Sequence, residues 1–170
     1  MSPKTTHEIT VQRGSRAAHV PGDAQFRRWA TAALAGGEHA WQLNIRVVGE
    51  QIGRRLNARY RKRDGATNVL SFRSDLPDAV AAALERETGV RPLGDLVICA
   101  PVVRAEAGCQ GKAVADHWAH MVVHGVLHLQ GFDHQQEGEA ERMEAREIDI
   151  LGRLGVADPY RQGPGSRGKS

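Results

Sequence analysis

Residues 114–134, VADHWAHMVVHGVLHLQGFDH, contain five of the eight histidines of this chain. His124, His128 and His134 have the spacing His-x3-His-x5-His. Residues four apart share one face of a helix, with Cβ atoms about 5–6 Å apart, so two imidazoles at this spacing can bind one metal ion. Gly131 predicts the end of the helix, because glycine adopts the left-handed conformation without a steric clash. The chain can then turn and bring His134 to the same ion.

This set of ligands predicts one Zn²⁺ ion per chain. Three imidazoles leave the fourth tetrahedral position open for water, which is typical of catalytic rather than structural zinc. The alternative is a group of surface histidines on an amphipathic helix. A helical pair, a turn glycine and a third histidine within one stretch favour the metal site held by His124, His128 and His134.

Two further histidines extend the pattern toward the amino end of the helix. At about 100° per residue, His117, His120, His124 and His128 project within a stripe of roughly 80°. A buried helix would gain nothing from four desolvated imidazoles, so the stripe predicts the wall of a polar cleft. We expect His120 to orient a ligand or transfer a proton, and Asp133 to do the same beside His134. His117 either lines the cleft or is an ordinary exposed histidine.

The stretch also matches the zinc-peptidase pattern His-Glu-x-x-His-x-x-Gly-x-x-His, with one substitution. Gly125 stands where those peptidases have the glutamate that acts as general base. Glycine cannot accept a proton, so peptide hydrolysis by that route lacks its base. We expect position 125 to project toward the metal site, where a carboxylate would repel a phosphate.

Composition indicates an ordinary globular protein. The 170 residues are 41% hydrophobic and 25% charged, and the length and composition predict one domain over residues 1–160. Residues 161–170 are predicted to form a disordered basic tail. No apolar run approaches the roughly 18 residues that a membrane span requires, so we expect a cytoplasmic protein with no membrane partner. Cys99 and Cys109 match no ligand spacing and are interpreted as ordinary thiols.

Positive charge is concentrated in one segment, although the formal net charge is only +3. A basic cluster beside an aromatic ring suits an RNA backbone, because cations displace counterions and rings stack on bases. A solvated helix face is the alternative, and the neighbouring metal site favours RNA. The cluster comprises Arg54, Arg55, Arg59, Arg61, Lys62 and Arg63, with Tyr60 among them.

Hydrophobic periodicity predicts alternating strands and helices. An α/β (α+β) fold follows: a single compact domain with an about four-stranded mixed sheet, packed with helices and with the histidine helix at a metal cleft. Asp23 is the expected N-cap of the first helix. The predicted strands cover residues 7–12, 41–48, 68–72 and 93–100, and the predicted helices cover residues 24–35, 50–60, 77–88, 101–110, 113–129 and 137–154.

Four separated motifs, found in order, resemble those of the bacterial YbeY family. They are Tyr60-Arg61-Lys62-Arg63-Asp64, Thr67-Asn68-Val69-Leu70-Ser71-Phe72, Gly94-Asp95-Leu96-Val97-Ile98 and the histidine motif. The resemblance covers roughly residues 41–160. Two positions depart from the family pattern: Arg73 stands where the family often has proline, and Gly65-Ala66 replaces a common Lys-Pro.

The resemblance implies a metal-dependent endoribonuclease that acts on single-stranded RNA. It implies roles in rRNA maturation, including the 3′ end of 16S rRNA in the small ribosomal subunit, and in ribosome quality control. It further implies one zinc ion at His124, His128 and His134, and a functional role for Arg61. DNA is not an expected substrate.

The expected chemistry assigns the basic residues to the RNA backbone. Arg61 would contact non-bridging phosphate oxygens, because a guanidinium fork fits them better than an ammonium group. Arg59, Lys62 and Arg63 would follow the strand without reading bases. The attacking group is either water or the RNA 2′-hydroxyl. A zinc peptidase with a distant base and a non-catalytic ribosome-associated zinc protein are the alternatives.

Overall fold

Helices follow strands along most of the chain, in the order that the hydrophobic periodicity predicts. The computed structural model describes residues 6–14, 20–60, 68–131 and 137–161. The element bounds there lie within two residues of the predicted ones. In chain order the elements are β1 (Glu8–Arg13), α1 (Asp23–Leu34), β2 (Trp41–Val48), α2 (Glu50–Tyr60), β3 (Val69–Arg73), α3 (Asp78–Thr88), β4 (Arg91–Cys99), α4 (Ala100–Gln110), α5 (Val114–Leu129) and α6 (Glu137–Arg153).

The four strands form one mixed sheet with the order β1-β2-β4-β3. β1, β2 and β4 run parallel, and β3 pairs antiparallel with β4. Parallel neighbours need a connection that crosses over the sheet, which α1 supplies between β1 and β2. The predicted α/β fold with a mixed four-stranded sheet is therefore confirmed, and β3 forms one edge.

The main core lies on the face of the sheet that α1 and α5 cover. Side chains of β2 and β4, including Ile45 and Leu96, are fully buried there. Phe26 of α1 meets Trp118 of α5 edge to face, with ring centroids 5.5 Å apart. A smaller cluster on the other face contains Val48, Leu70, Val97 and Cys99, packed against Ile52 and Leu56 of α2 and Val102 of α4.

Helix α5 passes through the centre of the molecule and contacts α1, α4, α6, β3 and β4. From His117 to Leu129 every residue is buried except His124 and His128. A helix that is surrounded on nearly all sides is expected to be apolar. The two partly exposed histidines therefore mark the side on which α5 opens toward solvent, beside β3.

The edge strand β3 lies unusually close to β4 at Gly94. This residue has φ = +149°, and a Cβ there would overlap the carbonyl oxygen of Phe72. Only glycine accommodates this backbone approach. Arg73, at the end of β3, is the register partner of Gly94. Gly94 thus allows this end of β3 to lie close to β4, near α5.

The start of α1 differs from the prediction. Gly22 rather than Asp23 is the N-cap, and its N–H donates to Gln25 Oε1 at 3.1 Å. Asp23 is the first helical residue and accepts a hydrogen bond from Arg13 Nη2 at 2.6 Å. The carboxylate is already engaged by strand β1 and does not cap the helix.

None of the helices in the described part of the chain is long and apolar enough to cross a membrane. Nine of the ten residues of the predicted basic tail, 162–170, lie outside the described residues.

Candidate metal centre

The histidines of α5 lie in two environments. His117 and His120 are buried, with 2% and 7% of their surface exposed. His124 and His128, one and two turns further along, are partly exposed. The ring centroids of His124 and His128 lie 4.7 Å apart with an interplanar angle of 76°. The helical spacing therefore brings these two imidazoles together at the surface, as the sequence predicts.

These two rings line a cleft of about 270 Å³ between α5 and β3. Its wall contains Asn68, Val69, Ser71, Arg73, His124, His128 and Leu129. Ser71 donates a hydrogen bond to the carbonyl oxygen of Gly125 at 3.2 Å, and Arg73 donates to the carbonyl oxygen of His128 at 3.2 Å. Both bonds tie the edge strand to the turn of α5 that carries the paired histidines.

A buried carboxylate from α6 connects His124 to His120. Glu147 is fully buried, and its Oε1 lies 3.1 Å from His124 Nδ1. Its Oε2 lies 2.6 Å from His120 Nε2 and accepts a hydrogen bond from the Tyr160 hydroxyl at 2.8 Å. One carboxylate thus contacts two histidines of α5 and a tyrosine from the segment after α6.

The pKa values follow from these contacts. Burial alone would raise the pKa of Glu147, but the hydrogen bonds and the electrostatic attraction of the His120 and His124 rings outweigh it and hold the pKa at about 2. Partial burial and the neighbouring Glu147 carboxylate raise the pKa of Tyr160. Glu147 is therefore an anion at neutral pH, and the Tyr160 hydroxyl keeps its proton and donates it.

Ligand atoms of His120, His124 and Glu147 all lie within 4.8 Å of one another, so this cluster could hold a metal ion. The paired imidazoles of His124 and His128 also fit zinc, because neutral histidine nitrogens are standard zinc ligands. The hydrogen bond from Nδ1 to a carboxylate is the arrangement that commonly orients a metal-binding histidine. The donor set around His124 is therefore chemically suited to a zinc ion.

His117 is paired with a carboxylate of α4. Its Nε2 lies 2.9 Å from Glu106 Oε1, and Glu106 also accepts from Asn68 Nδ2 at 3.1 Å. Burial lowers the pKa of His117, although Glu106 acts in the opposite direction. The interpretation of His117 as an exposed histidine is wrong, because α4 supplies the polar partner that makes burial tolerable.

The expectation that position 125 projects toward the metal site is also wrong. A Cβ on Gly125 would lie 2.6 Å from Leu96 Cδ2 and 3.3 Å from Val69 Cγ2, so it would point into the sheet. Leu96 is itself fully buried in the core. Gly125 therefore allows α5 to pack closely on β3 and β4, and a glutamate at this position would be directed into the core.

The predicted RNA-binding residues are described only in part. Arg59 is exposed in the last turn of α2. Arg61, Lys62 and Arg63 lie outside the described residues, as do Asp133 and His134. The structure thus brings together His120, His124 and His128 of the predicted site, while the remaining assignments stay predictions.

Sequence reasoning missed Glu147, Tyr160 and Glu106. The sequence did contain a signal for Glu147, which shares a helical face with the buried Met143, Ile150 and Leu151. A carboxylate on an otherwise apolar face requires buried donors. Which helix supplies those donors depends on tertiary packing, and a single helical pattern does not contain that information.

Comparison with known proteins identifies close relatives. Residues 13–155 match the family model described as Endoribonuclease YbeY. The Endoribonuclease YbeY of Alkalilimnicola ehrlichii is 56% identical over 146 residues, covering 85% of this chain and 84% of the relative. That of Methylococcus capsulatus is 54% identical over 155 residues, covering 91% and 96%.

A solved structure supports the same fold. The solution structure of TM1509 from Thermotoga maritima aligns with a TM-score of 0.50 and 19% identity, covering 90% of this chain and 99% of that one. At this identity the likeness concerns the fold alone, and the sequence relatives carry the assignment. With most of its length matched by the family model and by relatives of more than 50% identity, the chain belongs to the endoribonuclease YbeY family.

Proposed function

We propose that this protein is a zinc-dependent endoribonuclease that cleaves single-stranded RNA. Its proposed role is rRNA maturation in the cytoplasm, including the 3′ end of 16S rRNA, and quality control of ribosomes through the small ribosomal subunit. The observation that carries the proposal is the pair of imidazoles, His124 and His128, which open side by side into a cleft rimmed by Arg73, in a member of the endoribonuclease YbeY family.

The proposed metal ligands are His124, His128 and His134. A histidine ring binds a metal through one nitrogen, so with Nδ1 of His124 bonded to Glu147 the ligand atom of that ring would be Nε2. Zinc bound there would supply Lewis-acid polarisation of the scissile phosphate or activation of a water molecule. The protein would contribute the orientation of the imidazoles and the cleft between α5 and β3 into which they open.

Cationic side chains would hold the RNA backbone beside the cleft. Arg73 is exposed at the cleft wall, and its guanidinium has five donors, of which one bonds to His128. We assign it a phosphate contact. Arg61 would bind the scissile phosphate, and Arg59, Lys62 and Arg63 would contact the backbone of the flanking RNA.

His120 is better suited to positioning than to proton transfer. Its Nε2 is bonded to Glu147, and it does not contribute to the cleft wall that contains His124 and His128. Asp133 remains the proposed neighbour of His134 for orientation or proton transfer. Attack by water or by the 2′-hydroxyl would leave different products, and the products therefore identify the attacking group.

The test incubates purified protein with end-labelled single-stranded RNA carrying the 3′ region of 16S rRNA, and with a duplex of the same sequence. We expect endonucleolytic cleavage of the single strand, loss of cleavage with a chelator and recovery with zinc. His128→Ala should be inactive under all conditions. A 2′,3′-cyclic phosphate product would indicate attack by the 2′-hydroxyl, and a 5′-phosphate with a 3′-hydroxyl would indicate attack by water.

Failure of the zinc-loaded protein to cleave any of these RNAs would contradict the proposal and favour a non-catalytic ribosome-associated protein. Chelator-sensitive hydrolysis of casein in the same preparation would instead support a peptidase. Such a peptidase would need a general base from elsewhere in the chain, because a glutamate at position 125 would be directed against Leu96 and Val69 rather than into the cleft.

A further inference from the structure

Glu147 joins three segments of the protein at one buried carboxylate. We infer that Glu147 is a positioning residue, which fixes the tautomer and ring orientation of the metal ligand His124 and is itself held in place by His120 and Tyr160. The inference rests on the proposed zinc site, and it assigns to α6 and the segment after it a role in metal binding.

The burial of the Glu147 carboxylate has to be compensated by hydrogen bonds. Glu147 has no exposed surface, and an isolated buried carboxylate is strongly unfavourable. Three donors make it tolerable, and they are divided between its two oxygens. Oε1 faces His124 Nδ1, whereas Oε2 faces His120 Nε2 and the Tyr160 hydroxyl. The orientation of the carboxylate is therefore set by His120 and Tyr160.

His124 faces this carboxylate through Nδ1, which lies 3.1 Å from Glu147 Oε1. The carboxylate oxygen is the acceptor in this hydrogen bond, so Nδ1 of His124 is the donor and carries the proton. That fixes the tautomer with Nε2 as the lone-pair nitrogen, which is the form required of a ligand through Nε2. It also limits rotation of a ring that is only partly buried, with 19% of its side chain exposed. Both effects lower the cost of organising the ligand before the metal arrives.

The hydrogen-bond lengths around Glu147 favour positioning over direct ligation of the metal. Its Oε2 has two donors within 2.8 Å, and its Oε1 has the third at 3.1 Å. These are hydrogen-bond lengths, and a metal ion between His120 and Glu147 would have to displace the bond between them. Tyr160 also packs on His120, with ring centroids 5.4 Å apart and an interplanar angle of 84°.

The experiment measures zinc affinity by competition with a chelator, using the purified full-length protein and no RNA. Glu147→Gln should bind zinc about 10–100-fold more weakly than the wild type, because outer partners of metal-binding histidines have effects of this size. Glu141→Gln is the matched control, because Glu141 is exposed on the same helix, and it should leave zinc affinity unchanged. Tyr160→Phe removes one of the two donors to Oε2 and should weaken zinc binding less than Glu147→Gln does.

Co²⁺-loaded protein separates positioning from ligation. The absorption bands of Co²⁺ should keep their positions in Glu147→Gln and in His120→Gln, because neither residue would be a ligand. Bands that shift in either variant, or wild-type zinc affinity in Glu147→Gln, would overturn the inference. Should Glu147→Gln fail to fold, Glu147→Asp withdraws the carboxylate from His124 while keeping its charge, and wild-type affinity in that variant would have the same meaning.

A failure of the inference is distinguishable from a failure of the proposed zinc site. His128→Ala should lose zinc binding whether or not Glu147 positions His124. Unchanged zinc affinity in His128→Ala would contradict the ligand assignment itself, whereas loss in His128→Ala with no effect in Glu147→Gln would contradict only the role of Glu147.

Discussion

At the scale of single residues, the direction in which a residue of α5 points decides whether it lines the cleft or packs in the core. His124 and Gly125 are adjacent in the sequence, yet one lines the cleft and the other faces the buried Leu96. The turn of α5 that presents the histidines is therefore also the turn that lies closest to the sheet. A substitution at position 125 should therefore affect the stability of the fold more than the chemistry of the cleft.

Gly125→Ala should destabilise the protein by up to about 2 kcal/mol. Forcing a methyl group into a packed core costs about 1–3 kcal/mol, and the better helix propensity of alanine offsets about 1 kcal/mol of that. Gly108→Ala is the control, because Gly108 lies on an exposed face of α4 where a Cβ would meet nothing within 4 Å. Urea denaturation measures both. If Gly125→Ala were as stable as the Gly108→Ala control, or more stable, α5 would not be packed against the sheet as tightly as described.

Arg73→Ala should weaken RNA binding while the protein keeps its fold. Loss of one exposed phosphate contact of about 1 kcal/mol corresponds to roughly a fivefold rise in KM or Kd. The salt dependence of binding should also decrease by about one counterion. Arg153→Ala is the control, because Arg153 is exposed on α6 and pairs with Asp149. Identical RNA affinity and salt dependence in Arg73→Ala and Arg153→Ala would remove Arg73 from the RNA path.

Arg61→Ala should retain fold and zinc content and lose most RNA cleavage, since its proposed partner is the substrate. Arg61→Lys should recover only part of the activity, because an ammonium group does not make the bidentate contact. Circular dichroism, zinc content and cleavage rate measured on one preparation separate these effects. Loss of folding would instead indicate an ion pair within the domain.

At the scale of helices and strands, neighbouring helices determine what the histidines of α5 do. α4 supplies Glu106 to His117, and α6 supplies Glu147 to His120 and His124. The sequence predicted the histidine stripe and the paired ligands from helical spacing alone. It did not predict that two of the four rings are buried, since their partners are distant in sequence and are brought close only by helix packing.

The burial of His117 makes the stability of the protein depend on pH. Burial lowers the pKa of His117 in the folded state, and Lys112 and His120 act in the same direction against Glu106. The unfolded chain then binds more protons as the pH falls below the ordinary histidine pKa of about 6.5. The stability that neutral His117 contributes is therefore complete above this pH and decreases as the pH falls toward the lowered pKa.

We expect the free energy of unfolding of the metal-free protein to fall between pH 7.5 and pH 5.5, and to fall less in His117→Gln. Glutamine can still donate to Glu106 but does not titrate. Comparing the two proteins removes contributions from the remaining histidines, which both contain. An equal decrease in both proteins would show that His117 is not the group responsible.

At the scale of the whole molecule, strand and helix bounds were predictable because buried residues recur with the period of each element. The strand order β1-β2-β4-β3 was not predictable from the sequence. β2 pairs with β4 although α2, β3 and α3 lie between them in the chain, and no local pattern encodes such a long-range pairing. That order places β3 at the edge beside α5, where Arg73 and Ser71 meet the paired histidines. The cleft therefore depends on the strand order, which places β3 beside α5, and on the spacing of the histidines, which pairs His124 with His128 on one side of the helix.

Zinc at the histidines of α5 should be required for RNA cleavage. The most direct measurement titrates zinc into metal-free protein and records bound zinc and the cleavage rate of single-stranded RNA in the same samples. We predict that the rate rises in proportion to bound zinc, levels off near one equivalent per chain, and stays at background throughout in His128→Ala. Full cleavage by metal-free protein, or saturation with zinc without any cleavage, would show that zinc at these histidines does not drive RNA cleavage.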